Sequence, residues 1–231
     1  GISDLLAEKY FTSPYATTRV SAMKLLARLR DDNFVRVTGA ALNDSYELAR
    51  RFAAIYCQES GDPRLVPALI RAVTDPNISK RVNYQAQDAL SYFDPQLLKA
   101  ELDKSFKGVD TANFLGEIYR QTAANIDRKT KSCSETVATI TGKDVSEKER
   151  IFDIRSLRNL TYHPAIRPLC EYLLTAPGEK IETALTEALG WFSHSYDRQH
   201  IIYTCRKITE DAVRFSEPVR REALRTVKRL E

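Results

Sequence analysis

The sequence predicts an all-α protein: a solenoid of about seven antiparallel helical hairpins that wind into a right-handed superhelix. Three observations lead to this fold class. Apolar residues recur with the 3.6-residue period of amphipathic helices, only 8 of the 231 residues are glycine, and two parts of the chain repeat each other. Scarce glycine and long stretches rich in Ala, Leu, Arg and Glu argue against a sandwich, a barrel or a nucleotide-binding α/β fold.

The internal repetition is the strongest of these observations. Prolines of the first half recur in the second half at one constant offset: Pro63, Pro67 and Pro76 correspond to Pro164, Pro168 and Pro177. After a two-residue deletion, the segment 89–93 (Ala-Leu-Ser-Tyr-Phe) corresponds to 188–192 (Ala-Leu-Gly-Trp-Phe). The offset divides into three units of about 33 residues, which is the period of a helix–turn–helix repeat.

Apolar spacing and helix-start signals place the individual helices. Proline at 63, 95 and 164 suits a first helical turn, where its missing N–H costs nothing. The first helices of the hairpins are expected near 3–11, 33–43, 63–74, 95–106, 132–141, 164–175 and 196–211. The second helices are expected near 14–30, 45–59, 79–93, 110–130, 146–159, 178–193 and 217–230.

The pattern weakens over residues 105–162. Gly108, Gly142 and a stretch rich in Ser, Thr and Lys blur the helical period there. We therefore expect one domain over 1–231 with an irregular or long hairpin in this segment. If the protein has two lobes, their boundary is expected in the same place.

Three successive turns carry a small polar residue six positions before an arginine: Ser13 and Arg19, Asp44 and Arg50, and Asp75 and Arg81. The polar residue can cap the second helix of a hairpin, and the arginine then lies within reach of the neighbouring turn. On these residues the chain resembles the HEAT-repeat family, whose units carry an Asp in the inter-helix turn and an Arg early in the second helix. The resemblance implies a ladder of contacts through Asp44, Arg50, Asp75 and Arg81, in which Asp75 and Arg81 contact each other or the equivalent groups one repeat away.

The chain contains none of the short motifs of phosphate loops, zinc proteases or serine hydrolases. Its three histidines do not share i, i+4 spacing on one helix, and its four cysteines are far apart without C-x-x-C spacing. We therefore expect no catalytic residues, no metal site and no cofactor. The cysteines are interpreted as small buried apolar residues.

Two segments offer candidate binding residues. Trp191, the only tryptophan, corresponds to Tyr92 in the repeat and is expected in the core between hairpins. In the last predicted helix Arg221, Arg225 and Lys228 share one face, as in the polar helix that closes a solenoid. Trp191 and the last helix thus each have a structural interpretation, and each is also a candidate for binding.

Together the two segments loosely resemble the C-terminal part of HEAT-like DNA alkylation-repair glycosylases, in which an A-x-G-W segment precedes a closing R-R-E-A helix. Trp191, Arg220 and Arg221 match, and Arg225 lies beside them. The resemblance implies a basic cleft that holds damaged DNA. That family also carries a second tryptophan close to a catalytic aspartate; this chain has no second tryptophan, and Asp153 is the nearest stand-in.

Charge and composition leave two classes of partner open. The net charge of +4, with both signs interspersed, permits contact with nucleic acid or an acidic partner without requiring either. We expect a non-enzymatic scaffold that binds a protein or extended ligand on the concave face lined by the second helices, with DNA binding or repair as the alternative. A continuous basic groove would favour nucleic acid, and a mixed or apolar groove would favour protein.

No apolar run approaches the ~18 residues of a membrane-spanning helix, so we expect no membrane insertion and a soluble protein. The cytoplasm is slightly favoured by this interpretation. Because the chain starts at Gly1, a removed export signal stays open.

Overall fold

The computed structural model describes residues 1–108 and 112–231, and over these residues it contains helices and no strand. The all-α prediction is therefore confirmed. The helices are α1 (Ile2–Thr12), α2 (Ala16–Leu29), α3 (Asp32–Ala41), α4 (Glu47–Ser60), α5 (Val66–Thr74), α6 (Lys80–Leu90), α7 (Pro95–Ser105), α8 (Phe114–Thr141), α9 (Glu147–Ser156), α10 (Ile166–Leu173), α11 (Glu179–Leu189), α12 (Arg198–Glu210) and α13 (Glu217–Leu230).

Side-chain caps explain where several helices begin. Asp31, Ser79 and Asp94 each accept a hydrogen bond from a backbone N–H in the first turn of α3, α6 and α7. Ser146 and Glu149 form a reciprocal capping box at the start of α9. Gly61 ends α4 with a φ of 59°, a left-handed conformation that glycine adopts without strain.

Helix α8 differs from the expected elements. Two helices were expected near 110–130 and 132–141, but Phe114–Thr141 is one continuous helix of 28 residues. No proline or glycine stands between Gly116 and Gly142, so nothing in the sequence stops the helix in between. The expected start at residue 110 lies outside the described residues.

The chain divides into two compact units, residues 1–129 and 130–231. The first unit has two layers of helices: one contains α1, α3, α5 and α7, packed in chain order, and the other contains α2, α4 and α6. The two helices of each hairpin pack on each other, α1 on α2, α3 on α4 and α5 on α6. In the second unit α9, α11 and α13 form one layer, and α10 and α12 pack against it. Each unit by itself thus has the stacked hairpins of an α-solenoid. The boundary falls inside 105–162, while one domain over 1–231 stays a prediction.

Each unit has its own apolar core. Leu26, Leu69 and Leu90 are fully buried in the first unit, as are Leu169 and Leu185 in the second. Burying such a side chain contributes about 1.5–3 kcal/mol. The cysteines are also buried and are not joined in disulfides.

Asp44, in the turn between α3 and α4, connects the first two hairpins. Its carboxylate accepts hydrogen bonds from the Arg19 guanidinium at 2.7 and 2.8 Å and from the Tyr10 hydroxyl at 3.0 Å. The Tyr46 N–H donates to it at 2.8 Å, and Arg50 donates to the Asp44 backbone oxygen at 2.6 Å. Since Arg19 lies early in α2, the second helix of one hairpin contacts the turn of the next.

Asp75 has the corresponding place in the following turn, but no arginine contacts its carboxylate in the described part of the chain. Its carboxylate accepts a hydrogen bond from the Asn77 N–H at 2.8 Å, which closes its own turn. Arg81 is exposed, and the Arg50 guanidinium already donates to the Asp44 backbone. No hydrogen bond or ion pair joins Asp75 to Arg81 or to Arg50 in the described part of the chain, so the expected contact is not formed there.

The Asp44 carboxylate and its donors Arg19, Tyr10 and Tyr46, called the Asp44 cluster below, give a prediction for acid stability. Burial alone would raise the pKa of Asp44, but the hydrogen bonds from Arg19, Tyr46 and Tyr10 outweigh it and hold this pKa below its usual value. A carboxyl with a lowered folded-state pKa stabilises the fold above its unfolded pKa of about 3.9, and this contribution is lost as the pH falls through the folded-state value.

We therefore expect the free energy of unfolding to fall more steeply below about pH 4 in the wild type than in Asp44→Asn. Urea unfolding followed by circular dichroism at a series of pH values measures both slopes. Parallel curves for the two proteins would contradict the assignment.

Candidate functional site

A groove of about 690 Å³ lies in the second unit, lined by residues of α9 and α11 and by Pro218 at the start of α13. This volume is within the ~300–1,000 Å³ typical of ligand sites. These three helices are the second helices of their hairpins. The sequence predicts the binding surface on the second helices. The walls of the groove are therefore packed helices rather than loops.

The groove follows from the sizes of the side chains on α11. Lys180, Ala184, Ala188 and Trp191 succeed one another at intervals of three or four residues, so they lie along one face of the helix. The two alanines leave space at the centre of this face, and Trp191 closes one end of it. Leu185, on another face of α11, is fully buried and anchors the helix in the core.

Across from the alanines, α9 supplies an apolar wall and a basic rim. Ile151 and Ile154 line the groove, and Arg155 follows them at its edge. Arg158, just beyond α9, is exposed and also lines the groove. The opposite rim, on α11, carries the exposed carboxylates of Glu179 and Glu187 together with Lys180, which pairs with Glu147 at 2.9 Å. The groove is thus apolar at its centre and of mixed charge at its edges.

Trp191 contacts two arginines. The guanidinium carbon of Arg158 is 4.2 Å from the centroid of the indole ring, and that of Arg229, near the end of α13, is 5.2 Å from it. Such distances are those of cation–π contacts. Residues from three elements that are far apart in the sequence meet at this ring.

The expected core position of Trp191 is wrong, because 41% of its surface is exposed. Its counterpart Tyr92 is only 7% exposed, and Lys129 lies 4.5 Å from the centroid of that ring. Trp191 instead follows the end of α11, at one end of the groove. The repeat predicted an aromatic ring at this place correctly but not its exposure.

Gly190 permits the close approach of Arg229. A Cβ atom on Gly190 would lie 2.7 Å from Nη1 of Arg229 and 3.2 Å from Oγ1 of Thr226. Both are closer than ordinary van der Waals contact. With any larger residue at this position the Arg229 guanidinium would therefore have to shift from its place beside the tryptophan.

The other predicted binding residues lie outside the groove lining. Arg221 pairs with Glu217, and Arg225 pairs with Glu222 at 3.2 Å. Arg220 is half-buried, and its Nε is buried without a hydrogen-bond partner in the part of the chain that the structure describes. Trp191 is thus the one predicted binding residue that lines the groove.

Sequence analysis missed three arginines: Arg155 and Arg158, which line the groove, and Arg229, which contacts its tryptophan. Arg155 and Arg158 lie in the segment where the repeat pattern weakens. Arg229 follows Arg225 at i+4 on the last helix, which was a usable signal. Asp153, the stand-in suggested by the glycosylase resemblance, lies on α9 and does not line the groove.

A second polar cluster in this unit is closed to solvent. Nδ1 of His163 and Oγ of Ser195 are 2.9 Å apart, but both residues are almost fully buried. The Ser195 oxygen also accepts a hydrogen bond from the Asp197 N–H at 3.2 Å. The pair therefore connects the turns around α10 and α12 and offers no accessible nucleophile.

Over residues 1–108 and 112–231, no three His, Cys, Asp or Glu side chains come together in a way that could hold a metal ion. Among the helices of the same residues, none combines the length and apolar character needed to cross a membrane.

Comparisons with known proteins give distant structural likenesses. Human deoxyhypusine hydroxylase in complex with glycerol is similar over 99% of this chain and 84% of its own, with 15% identity and a TM-score of 0.43. The complex of CpcE and CpcF of phycocyanin lyase from a Nostoc species is similar over 99% and 94%, with 18% identity and a TM-score of 0.36. An engineered protein is similar over 100% and 68%, with 17% identity and a TM-score of 0.34. No protein-family model and no curated protein matches the chain.

Proposed function

We propose that this chain is a non-enzymatic binding module that holds a segment of another protein in the groove between α9 and α11. The mixed chemistry of the groove supports this more than any other observation. Its centre is apolar with an exposed tryptophan at one end, and its rims carry both arginines and glutamates. Protein interfaces combine an apolar, aromatic centre with a polar rim, and Trp and Arg dominate their binding energy.

The helical setting of the groove also suits a binding module. Leu185 is fully buried on the core side of α11, and Ile154 is fully buried in the wall that α9 supplies, so the two walls are fixed by packing. A preformed groove costs little conformational entropy when a partner enters it. Extended faces of this kind are what helical repeats use to bind other macromolecules.

Nucleic acid is the alternative partner, and one observation favours it. An exposed aromatic ring with two guanidinium groups can stack on a base while the arginines contact phosphates. Against this, Glu179 and Glu187 line the same groove and would repel a phosphate chain. Arg221 and Arg225, which a DNA-binding C-terminal helix would use, are paired with carboxylates of their own helix.

A direct comparison of ligands tests the proposal. Twelve-residue peptides lacking tryptophan are selected from a random displayed library on the full chain, and their affinity is measured through the fluorescence of Trp191, the only tryptophan. A 20-base-pair duplex DNA is titrated in parallel at several salt concentrations. We expect selected peptides to bind at about micromolar Kd with a change in Trp191 emission, and the duplex to bind no tighter than ~10⁻⁵ M at physiological salt.

Two results would overturn the proposal. One is a selection that yields no peptide able to change Trp191 emission. The other is sub-micromolar duplex binding that weakens steeply with salt, because that dependence reports the neutralisation of several phosphates.

A further inference from the structure

We propose that the end of the groove at Trp191 is a subsite for side-chain carboxylates, so that the partner segment is an acidic peptide. The subsite, called the Trp191 subsite below, consists of Trp191, Arg158 and Arg229. This inference rests on the proposed function, since it specifies the chemistry of the segment that the groove holds.

The two guanidinium groups of the Trp191 subsite are positioned but not neutralised. Both residues are exposed, and neither forms an ion pair within the described residues. Arginines nearby behave differently: Arg206, Arg221 and Arg225 each pair with a glutamate. The positive charges of Arg158 and Arg229 thus have no carboxylate partner within the described residues.

Contact with the indole ring prepares these arginines to bind an anion. A guanidinium that lies against an aromatic face keeps N–H donors at its edge, and these match the two oxygens of a carboxylate. The ring also limits the rotamers of the side chain, which lowers the entropy lost on binding. Two like charges near one ring repel each other, and a bound carboxylate would relieve that repulsion.

The two repeats differ in the ion pairing of the cations that contact their corresponding aromatic rings, Tyr92 and Trp191. In the first unit Lys129 lies over the Tyr92 ring and is ion-paired with Asp88. Asp88 and Tyr92 correspond, at the same offset, to Glu187 and Trp191. Glu187 forms no ion pair with the arginines at Trp191 in the described part of the chain. The positive charge at the ring is therefore paired with a carboxylate in the first unit, through Asp88, but not in the second unit.

Gly190 provides an observation on the subsite that is independent of the unpaired arginines. Its missing side chain leaves the space that the Arg229 guanidinium fills, 2.7 Å from where a Cβ atom would be. The φ of Gly190 is −64°, so the backbone does not require glycine there. The restriction comes from three close approaches to the Cβ position: Nη1 of Arg229 at 2.7 Å, the Glu187 backbone oxygen at 3.1 Å and Oγ1 of Thr226 at 3.2 Å.

The charge pattern favours acidic side chains within a peptide over other anions. Arg155 lies about one turn before Arg158, so the basic rim extends beyond the tryptophan and suits more than one carboxylate. Glu179 and Glu187 on the opposite rim can pair with basic side chains of a peptide, whereas they would repel a continuous phosphate chain. A single terminal carboxylate would leave most of the basic rim without a partner.

The test uses the peptides selected on the full chain, synthesised with amidated C-termini and labelled for fluorescence anisotropy. Each Asp or Glu is replaced in turn by Asn or Gln. We expect the selected peptides to be enriched in Asp and Glu, and removal of the critical carboxylate to weaken binding at least about 10-fold. The double variant Arg158→Gln/Arg229→Gln should lose affinity for the selected peptides by a similar factor. It should then no longer distinguish a peptide that carries the critical Asp or Glu from one that carries Asn or Gln in its place.

Two further variants separate the subsite from general effects. Lys228→Gln removes one exposed charge from α13 outside the subsite and should leave affinity within about 2-fold. Gly190→Ala displaces Arg229 without removing any charge. It should weaken the binding of peptides that carry the critical Asp or Glu, but not of the versions with Asn or Gln at that position. Far-ultraviolet circular dichroism of each variant checks that the helices are retained.

The outcomes separate this inference from the proposed function. Peptides that lose binding when Ala184→Phe fills the groove, but are indifferent to their own carboxylates and to Arg158→Gln/Arg229→Gln, overturn the inference and leave the function standing. Peptides that need a free C-terminus, or a twelve-nucleotide single strand that binds more tightly than any peptide through the same arginines, also overturn it. A selection without groove-binding peptides removes both.

Discussion

Replacing Asp44 by alanine is expected to lower the free energy of unfolding by about 3 kcal/mol, which is the scale found when one partner of a buried ion pair is removed. The carboxylate is buried and accepts four hydrogen bonds, two of them from Arg19, one from Tyr10 and one from the Tyr46 N–H. Without it the Tyr10 hydroxyl is left in the core without that acceptor. Arg19 retains the backbone oxygens of Ser13 and Pro14, both at 3.2 Å, which limits the loss.

Asp75→Ala is the matched control, because Asp75 has the same place in the next turn but its carboxylate accepts, among the described residues, the Asn77 N–H alone. Its cost should be below about 1 kcal/mol. Urea unfolding of both variants, followed by circular dichroism, measures the difference. Equal losses would mean that the Asp44 cluster contributes no more than an ordinary turn.

The second large effect is expected at the groove. Ala184→Phe should weaken the selected peptides by about 100-fold, or about 3 kcal/mol, because the new ring fills the space that a partner side chain would use. Ala184 is half-buried and lines the groove on the face of α11 that also carries Ala188. The free protein should keep its stability, since the phenyl ring enters open space rather than a packed core.

Ala212→Phe provides the control of equal size. Ala212 is exposed in the turn between α12 and α13 and does not line the groove. It should leave peptide affinity unchanged when measured by anisotropy of labelled peptides. If both substitutions reduce affinity equally, or neither does, the peptides bind elsewhere.

Local sequence signals were sufficient for the helices. Caps such as Asp31 and Asp94 and prolines in first turns mark helix starts, and apolar spacing marks the buried faces. Helix α8 shows the limit of this reasoning. A polar stretch rich in Ser, Thr and Lys was interpreted as irregular, but without proline or glycine it continues as helix.

Contacts between hairpins were harder to predict, as the two aspartates show. Both carboxylates accept the N–H two residues further on, from Tyr46 and from Asn77, yet among the described residues Asp44 also accepts hydrogen bonds from an arginine of the preceding hairpin and Asp75 does not. The spacing to the following arginine is the same in both turns, so spacing alone does not predict this difference.

The candidate site could be predicted only in part for the same reason. The repeat and the A-L-G-W segment pointed to Trp191, but the ring is exposed because the groove ends there. Arg158 and Arg229 reach it from distant segments, and their contacts arise only when the hairpins stack. Arg221 and Arg225 carried the right charge on the right helix but are paired locally with Glu217 and Glu222.

A crystal structure of the full chain with a selected peptide tests the central claim most directly. We predict the peptide in the groove between α9 and α11, with apolar side chains against Ile151 and Ala184 and a carboxylate on Arg158 or Arg229. A peptide bound on any other surface, with the groove open and Trp191 untouched, would contradict the account.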